Sequence, residues 1–144
     1  MSGDAHCPLC REFGGEVLWH DAGNRVVWAA QPDHPGLCRV IAQEHVKEMS
    51  DLDRAARTRT MDAVLAVEEA LREVLAPDKI NLASFGNVLP HLHWHVIPRF
   101  EDDAHFPNAI WGERLRDAPP RSLPPEFARR MAEALRVRLG GADG

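Results

Sequence analysis

Residues 91 to 95 read His91-Leu92-His93-Trp94-His95, an imidazole at every second position with a large apolar side chain between. On a β-strand successive side chains point to opposite faces. His91, His93 and His95 therefore line one face, while Leu92, Trp94 and Val96 enter a core on the other. The chain has eight histidines, and three within five residues exceed what surface decoration requires. Imidazoles gathered this way serve as metal ligands, nucleophiles or proton carriers.

A second constellation is Cys7-Pro8-Leu9-Cys10. In a reducing compartment Cys-x-x-Cys means a metal knuckle or a redox dithiol rather than a structural disulfide. A redox dithiol follows a strand and opens a helix, and seven residues leave no room for that strand, so metal binding is the expectation. Two sulfurs leave two ligands to find for tetrahedral zinc. His45, just after the third strand, and one histidine of the triplet complete a Cys₂His₂ set and leave two imidazoles free. A metal held by all three triplet histidines is an alternative. A cupin-like His-x-His site is another, although Glu101 falls late for its carboxylate. Cys38 reads as a buried small hydrophobe, and His20, His34 and His105 as ordinary structural histidines.

The elements that position these groups follow from pattern and punctuation. Short strands are predicted at 16–20 and 25–29, joined by the turn Asp21-Ala22-Gly23-Asn24. A loop rich in proline at 31–36 leads to a third strand over 37–42. Ser50, with Asp53 three residues on, is the expected N-cap of a long helix. Leu52, Met61, Val64, Leu65, Leu71, Val74 and Leu75 form its apolar face, and Pro77 ends it. Strands at 80–85 and 91–100 flank the link 86–90. Residues 101–120 read as loop, with Phe106, Ile110 and Trp111 as possible anchors. A last helix starts at Pro124-Pro125, buries Phe127, Met131, Ala134 and Leu135, and stops at Gly140-Gly141, beyond which the tail frays. The order βββαββα predicts an α+β domain around an antiparallel sheet.

At 144 residues the chain is expected to be one domain, able to bury a core without disulfides. Its formal net charge of −5 argues against a nucleic-acid or anionic-membrane surface, while leaving room for a local phosphate pocket. The opening Met1-Ser2-Gly3-Asp4-Ala5-His6 lacks the basic-then-apolar order of a signal peptide, and no run approaches the roughly 18 apolar residues of a membrane span. A cytoplasmic location is the expectation.

His91-Leu92-His93-Trp94-His95-Val96-Ile97 resembles, at every position, the histidine-triad (HIT) signature of three alternating histidines followed by apolar residues. Gly86-Asn87 before it and Pro98-Arg99 after it are similar to that superfamily's surroundings, and the order of elements suits its fold over about residues 7–100, with 101–144 as a C-terminal loop and helix extension. The resemblance implies a five-stranded antiparallel sheet with one long helix, and a dimer formed through a shared sheet. It implies a nucleotide hydrolase or nucleotidyl transferase that attacks the α-phosphate of dinucleoside polyphosphates or nucleoside phosphoramidates. On this pattern His93 is the nucleophile that forms a nucleotidyl-histidine, and His95 gives a hydrogen bond or proton to the leaving group or phosphate. Asn87 and the backbone of Gly86 and Val88 hold phosphate oxygens. Zinc-containing bacterial relatives imply a structural zinc on Cys7, Cys10, His45 and His91.

Two positions depart from that pattern. Gly86-Asn87-Val88 stands where a hydroxyl-bearing Gly-Gln-Ser or Gly-Gln-Thr is common. Ala29 stands where an acid or amide often meets ribose, which turns attention to Gln31 on the neighbouring loop as the group that binds substrate there. A nucleotide-sensing module with little turnover is therefore the competing reading, with a zinc hydrolase that uses the triplet as ligands as a third.

Overall fold

Each short extended segment places apolar side chains on alternate positions, and a single antiparallel sheet collects them in the computed structural model, which describes residues 4–141. The strands are β1 (Glu16–His20), β2 (Asn24–Trp28), β3 (Cys38–Ala42), β4 (Lys79–Ala83) and β5 (His93–Arg99), in the spatial order β1-β2-β3-β5-β4. The expected α+β architecture is present. The start of the polar N-terminal run and the tail at 142–144 lie outside the described residues.

One face of the sheet packs on helices. Val26, Cys38, Val40 and Val96 meet Val64, Val67 and Leu71 of α2 (Arg54–Leu75) and Met131 and Leu135 of α3 (Phe127–Leu139). Ala63, Val64, Ala66, Val67, Ala70 and Leu71, with the polar Thr60, are the buried stripe of α2, the spacing a helix needs to present one face. Leu65, expected on that stripe, is exposed. The N-cap also differs from expectation. Asp53 itself accepts a 2.8 Å hydrogen bond from the Ala56 N–H, whereas Ser50 sits in a preceding 3₁₀ turn (Met49–Asp51). Ala76 closes the helix in the left-handed conformation, at φ 47°, and Pro77 follows.

The opposite face of the sheet carries Val27 and Ile41 under a short N-terminal helix, α1 (Pro8–Arg11), that propensity alone does not foretell. It also carries Arg39, His93 and His95. Strand β5 begins at His93 rather than His91, because the Leu92 N–H bonds the Val46 carbonyl at 2.7 Å and the chain bends ahead of the ladder.

The loop after β5 is fastened by a buried ion pair. Asp103 accepts from Arg99 Nε at 2.8 Å and Nη2 at 3.0 Å, and from the N–H groups of His105 and Phe106 at 2.9 and 2.8 Å. Burial raises the Asp103 pKa, but those donors outweigh it and hold the carboxyl below its usual range. Arg99 further donates to Asn81 Oδ1 and to the Asn108 carbonyl, each at 2.8 Å. His34 Nε2 and His105 Nδ1 lie 2.9 Å apart, so two of the three histidines expected to be structural are partners. Opening such a buried pair from one side costs about 3–5 kcal/mol, which ties the segment 101–116 to the sheet. No helix among the described residues is long and apolar enough to cross a membrane.

Candidate active site and metal centre

Two antiparallel strands set the spacing of the reactive groups. In the β3–β5 register Arg39 is opposite His95 and Ile41 is opposite His93, so one cation stands beside two imidazoles on the same face. His93 Nδ1–H donates to the His91 carbonyl at 2.6 Å. That bond fixes the tautomer and leaves the lone pair on Nε2. Burial lowers the His93 pKa and the Arg39 charge lowers it further, so the ring is an unprotonated base at neutral pH. His95 is pushed down to about 4 by burial, with His93 and Arg39 adding to the effect. Its Nδ1 is buried without a hydrogen-bond partner among the described residues. The tautomer that buries no unpaired N–H carries its proton on Nε2, as a hydrogen-bond donor.

These groups open into a cleft of about 440 Å³. Gly86, Asn87 and Val88, expected to bind substrate, line it. Gly86 has φ +69°, a left-handed turn that suits glycine, while Asn87 and Val88 are solvent-exposed. Phe85 and Trp111 also line the cleft, in edge contact with ring centroids 5.0 Å apart. Trp111 stands 4.9 Å from His95. Gln31 is not among the lining residues. Its carbonyl accepts the His34 N–H inside its own loop, so the substrate-binding expectation for Gln31 is not supported by its position. Ala29 is likewise buried against Leu37, Ile97 and Ile110, away from the cleft.

The second constellation closes as the spacing suggested. Cys7, Cys10, His45 and His91 bring one ligand atom each within 4.8 Å of one another. Cys7 Sγ is 3.4 Å and Cys10 Sγ 3.5 Å from His91 Nδ1. Cys10 Sγ and His91 Nδ1 are each 3.2 Å from His45 Nδ1. A tetrahedron with ordinary zinc bond lengths has edges of about 3.6 Å for S–N and about 3.3 Å for N–N, so this donor set fits a zinc-sized ion. His91 Nε2–H donates to the Ala42 carbonyl at 2.6 Å, which turns Nδ1 toward the centre, as ligating histidines require. His91 thereby joins the candidate metal cluster, and its carbonyl orients His93.

Four contributors were not assigned to the site by the sequence reading, although Trp111 was expected as a loop anchor. Arg39 and Arg25 each interrupt an apolar strand, a signal that was available, since a charge on a buried strand needs a partner or a ligand. Arg25 donates to the carbonyls of Leu9, Glu12 and Phe13 at 2.6, 3.1 and 2.9 Å, and so seats the cysteine knuckle. Phe85 and Trp111 reach the cleft through loop paths that no periodicity reports. Cys38 is a buried free thiol raised to about 12 by desolvation, in keeping with its packing role.

Comparison with known proteins gives a consistent picture. The HIT domain profile matches residues 11–102. The chain is 30% identical over 109 residues to an AP-4-A phosphorylase of Mycobacterium tuberculosis, covering 68% of this chain and 55% of that protein. It is 25% identical over 105 residues to the asymmetrical bis(5'-nucleosyl)-tetraphosphatase of Schizosaccharomyces pombe, covering 69% and 58%. The chain thus spans a little over half the length of these curated relatives. Among solved structures it is similar to a histidine triad protein from Bradyrhizobium japonicum, with TM-score 0.72, 24% identity and coverage of 96% and 99% of the two chains. A Zn-bound histidine triad family protein from Mycobacterium smegmatis aligns with TM-score 0.64 at 20% identity, over 92% and 94%.

Proposed function

This chain belongs to the HIT family, and from that membership and the cleft's geometry we propose that it is an enzyme cleaving nucleotides at the α-phosphate, with dinucleoside polyphosphates or nucleoside phosphoramidates as substrates. The observation that carries the reading is the pairing of a neutral His93, its Nδ1–H anchored to a carbonyl, with His95 on the next inward-facing position. The Nε2 lone pair attacks the α-phosphorus, a P–N bond forms, and the bond to the leaving group breaks with its electron pair. Water then attacks the same phosphorus, and His93 leaves as the free base with release of a nucleoside monophosphate. His95 Nε2–H donates to phosphate oxygen, and Asn87 with the turn N–H groups of Gly86 and Val88 supports the charge. The exposed rings of Phe85 and Trp111 offer a stacking surface for the base.

Cys7, Cys10, His45 and His91 would hold zinc, which when bound would tie the N-terminal knuckle to the segment that carries His93. That role is structural, and no chemical step passes through the ion. The three free thiols suit a reducing, cytoplasmic setting.

The test is incubation with a panel of adenylylated and guanylylated polyphosphates and phosphoramidates, with products identified by mass spectrometry. Release of nucleoside monophosphate supports the reading, and binding without turnover across the panel sinks it in favour of a sensing module. A homodimer belongs to the same proposal, since β4 leaves an open sheet edge with Leu82 exposed and open edges invite pairing. Light scattering should give twice the 16.1 kDa chain mass, and a monomer at micromolar concentration would contradict it.

A further inference from the structure

Arg39 is a half-buried cation on the inward face of β3, with no described carboxylate paired to it. Its Nε is buried without a hydrogen-bond partner among the described residues. Its one side-chain hydrogen bond among the described residues, from Nη1 to the Gly14 carbonyl, is 3.5 Å long, at the outer limit of a hydrogen bond. Arg25, on the next strand, shows the alternative: its guanidinium is fully engaged by carbonyls and Gln43. A desolvated guanidinium left unmatched is costly unless an anion arrives to meet it. Arg39 lines the cleft with His93 and His95, so the anion it awaits is part of the substrate.

The register says which part. Arg39 is opposite His95, one position along the same face beyond the Ile41–His93 rung, and so stands beside the imidazole whose Nε2–H donates to phosphate oxygen rather than beside the His93 nucleophile. We propose that Arg39 is the specificity-determining residue that receives the leaving group's phosphate, so that this cleft works on substrates that expel an anionic phosphate chain rather than a neutral amine. The inference rests on the reading of the site given under Proposed function.

The chemistry of the two departures differs in one respect. When the bond from the α-phosphorus to a bridging oxygen breaks, oxygen keeps the electron pair and its new negative charge spreads over the departing phosphate. A fixed guanidinium stabilises that charge through charge-assisted, bidentate hydrogen bonds. When a P–N bond to an amine breaks, nitrogen keeps the pair and needs a proton to leave as the amine. Guanidinium has no proton to give in the accessible pH range, and a cation beside the departing nitrogen opposes its protonation. The low pKa of His95, to which Arg39 contributes, works in the same direction. A dinucleoside tetraphosphate thus gains from Arg39 at the moment of bond cleavage, and a phosphoramidate does not.

The experiment compares kcat/KM for a dinucleoside tetraphosphate and for the matching nucleoside 5'-phosphoramidate in wild type, Arg39→Leu and Arg39→Lys. Removing one preorganised charge-stabilising donor costs about 10²–10³ in rate. Arg39→Leu is therefore expected to lose about a hundredfold on the tetraphosphate and less than about threefold on the phosphoramidate. Arg39→Lys should recover part of the tetraphosphate rate, because it restores the charge without the fork. Inorganic tripolyphosphate should inhibit wild type and lose its hold on Arg39→Leu, a readout independent of turnover. Thermal melts should leave Arg39→Leu at or above wild type, since the substitution removes an unmatched charge. Equal losses on both substrates, or none, would overturn the assignment to the leaving group and leave the enzyme reading intact. A wild type that prefers the phosphoramidate would do the same. A wild type that cleaves neither would overturn both.

Discussion

Replacing His93 by alanine is expected to lower turnover by about four powers of ten or more while the protein stays folded. The size follows from what is lost. His93 supplies the only imidazole in the cleft whose second nitrogen is anchored by a hydrogen bond to a backbone carbonyl, at 2.6 Å, and the proposed reaction passes through a bond to its free nitrogen. Deleting a nucleophile that acts with neighbouring groups removes most of the chemical acceleration and leaves what charge stabilisation and positioning supply alone. Four powers of ten correspond to about 5.5 kcal/mol of transition-state stabilisation. The fold should survive because His93 sits on the cleft side of β5, whereas Trp94 and Val96 pack against the helices. Rapid quenching with mass spectrometry of the intact chain should trap a nucleotide adduct in wild type and none in His93→Ala. An adduct on His95, or a His93→Ala rate within tenfold of wild type, would assign the nucleophile elsewhere.

The second large effect concerns the metal centre. Purified protein is expected to hold one zinc per chain, with bonds of about 2.3 Å to each sulfur and about 2.0–2.1 Å to each nitrogen. Stripping it, or changing Cys7 to serine, should lower stability by about 3 kcal/mol or more, seen as a fall in Tm of about 10 °C. That ion would add to the Arg25 hydrogen bonds in holding the N-terminal unit on the sheet. Leu9 and Cys7 make a small cluster of their own with Val27 and Ile41, and α1 has only four residues, far too few to hold by itself. The four ligand atoms lie within 4.8 Å of one another, and a zinc ion would bind all four at once. Intrinsic chemistry should suffer less than stability, since His93 is oriented by the His91 backbone rather than by its ring. X-ray absorption and calorimetry on holo and stripped protein would check both parts. A metal-free native protein, or a metal on His93 and His95, would refute the arrangement.

Much of this molecule was legible in order along the chain. Alternation at 91–97 placed histidines on one face and a core on the other, because a strand has a period of two whatever surrounds it. The apolar spacing of α2 and α3 likewise identified the helices, and the Cys-x-x-Cys with His45 anticipated a tetrahedral donor set. What failed was local competition at boundaries. Ser50 and Asp53 both offer a capping oxygen, and the choice of Asp53 is settled by a 3₁₀ turn that takes up Ser50. His91 left the strand because the Leu92 N–H is diverted to the Val46 carbonyl in the loop after β3, although the Leu92 carbonyl still accepts the Ala42 N–H.

The sequence by itself determined the sheet's two-faced pattern, the reactive imidazoles and three members of the candidate donor set, Cys7, Cys10 and His45, since these follow from residue type, spacing and a fixed side-chain period. Only the tertiary structure decided which histidine joins the candidate metal set and which faces the cleft, because that depends on hydrogen bonds from His91 to Ala42 and from His93 to His91. It alone placed Trp111 beside His95, through a loop fastened by the buried Arg99–Asp103 pair. It alone left Gln31 off the cleft lining and placed Arg39 on it with no counter-charge among the described residues. Strand register and loop path are set by contacts between residues far apart in sequence, and no local period carries that information.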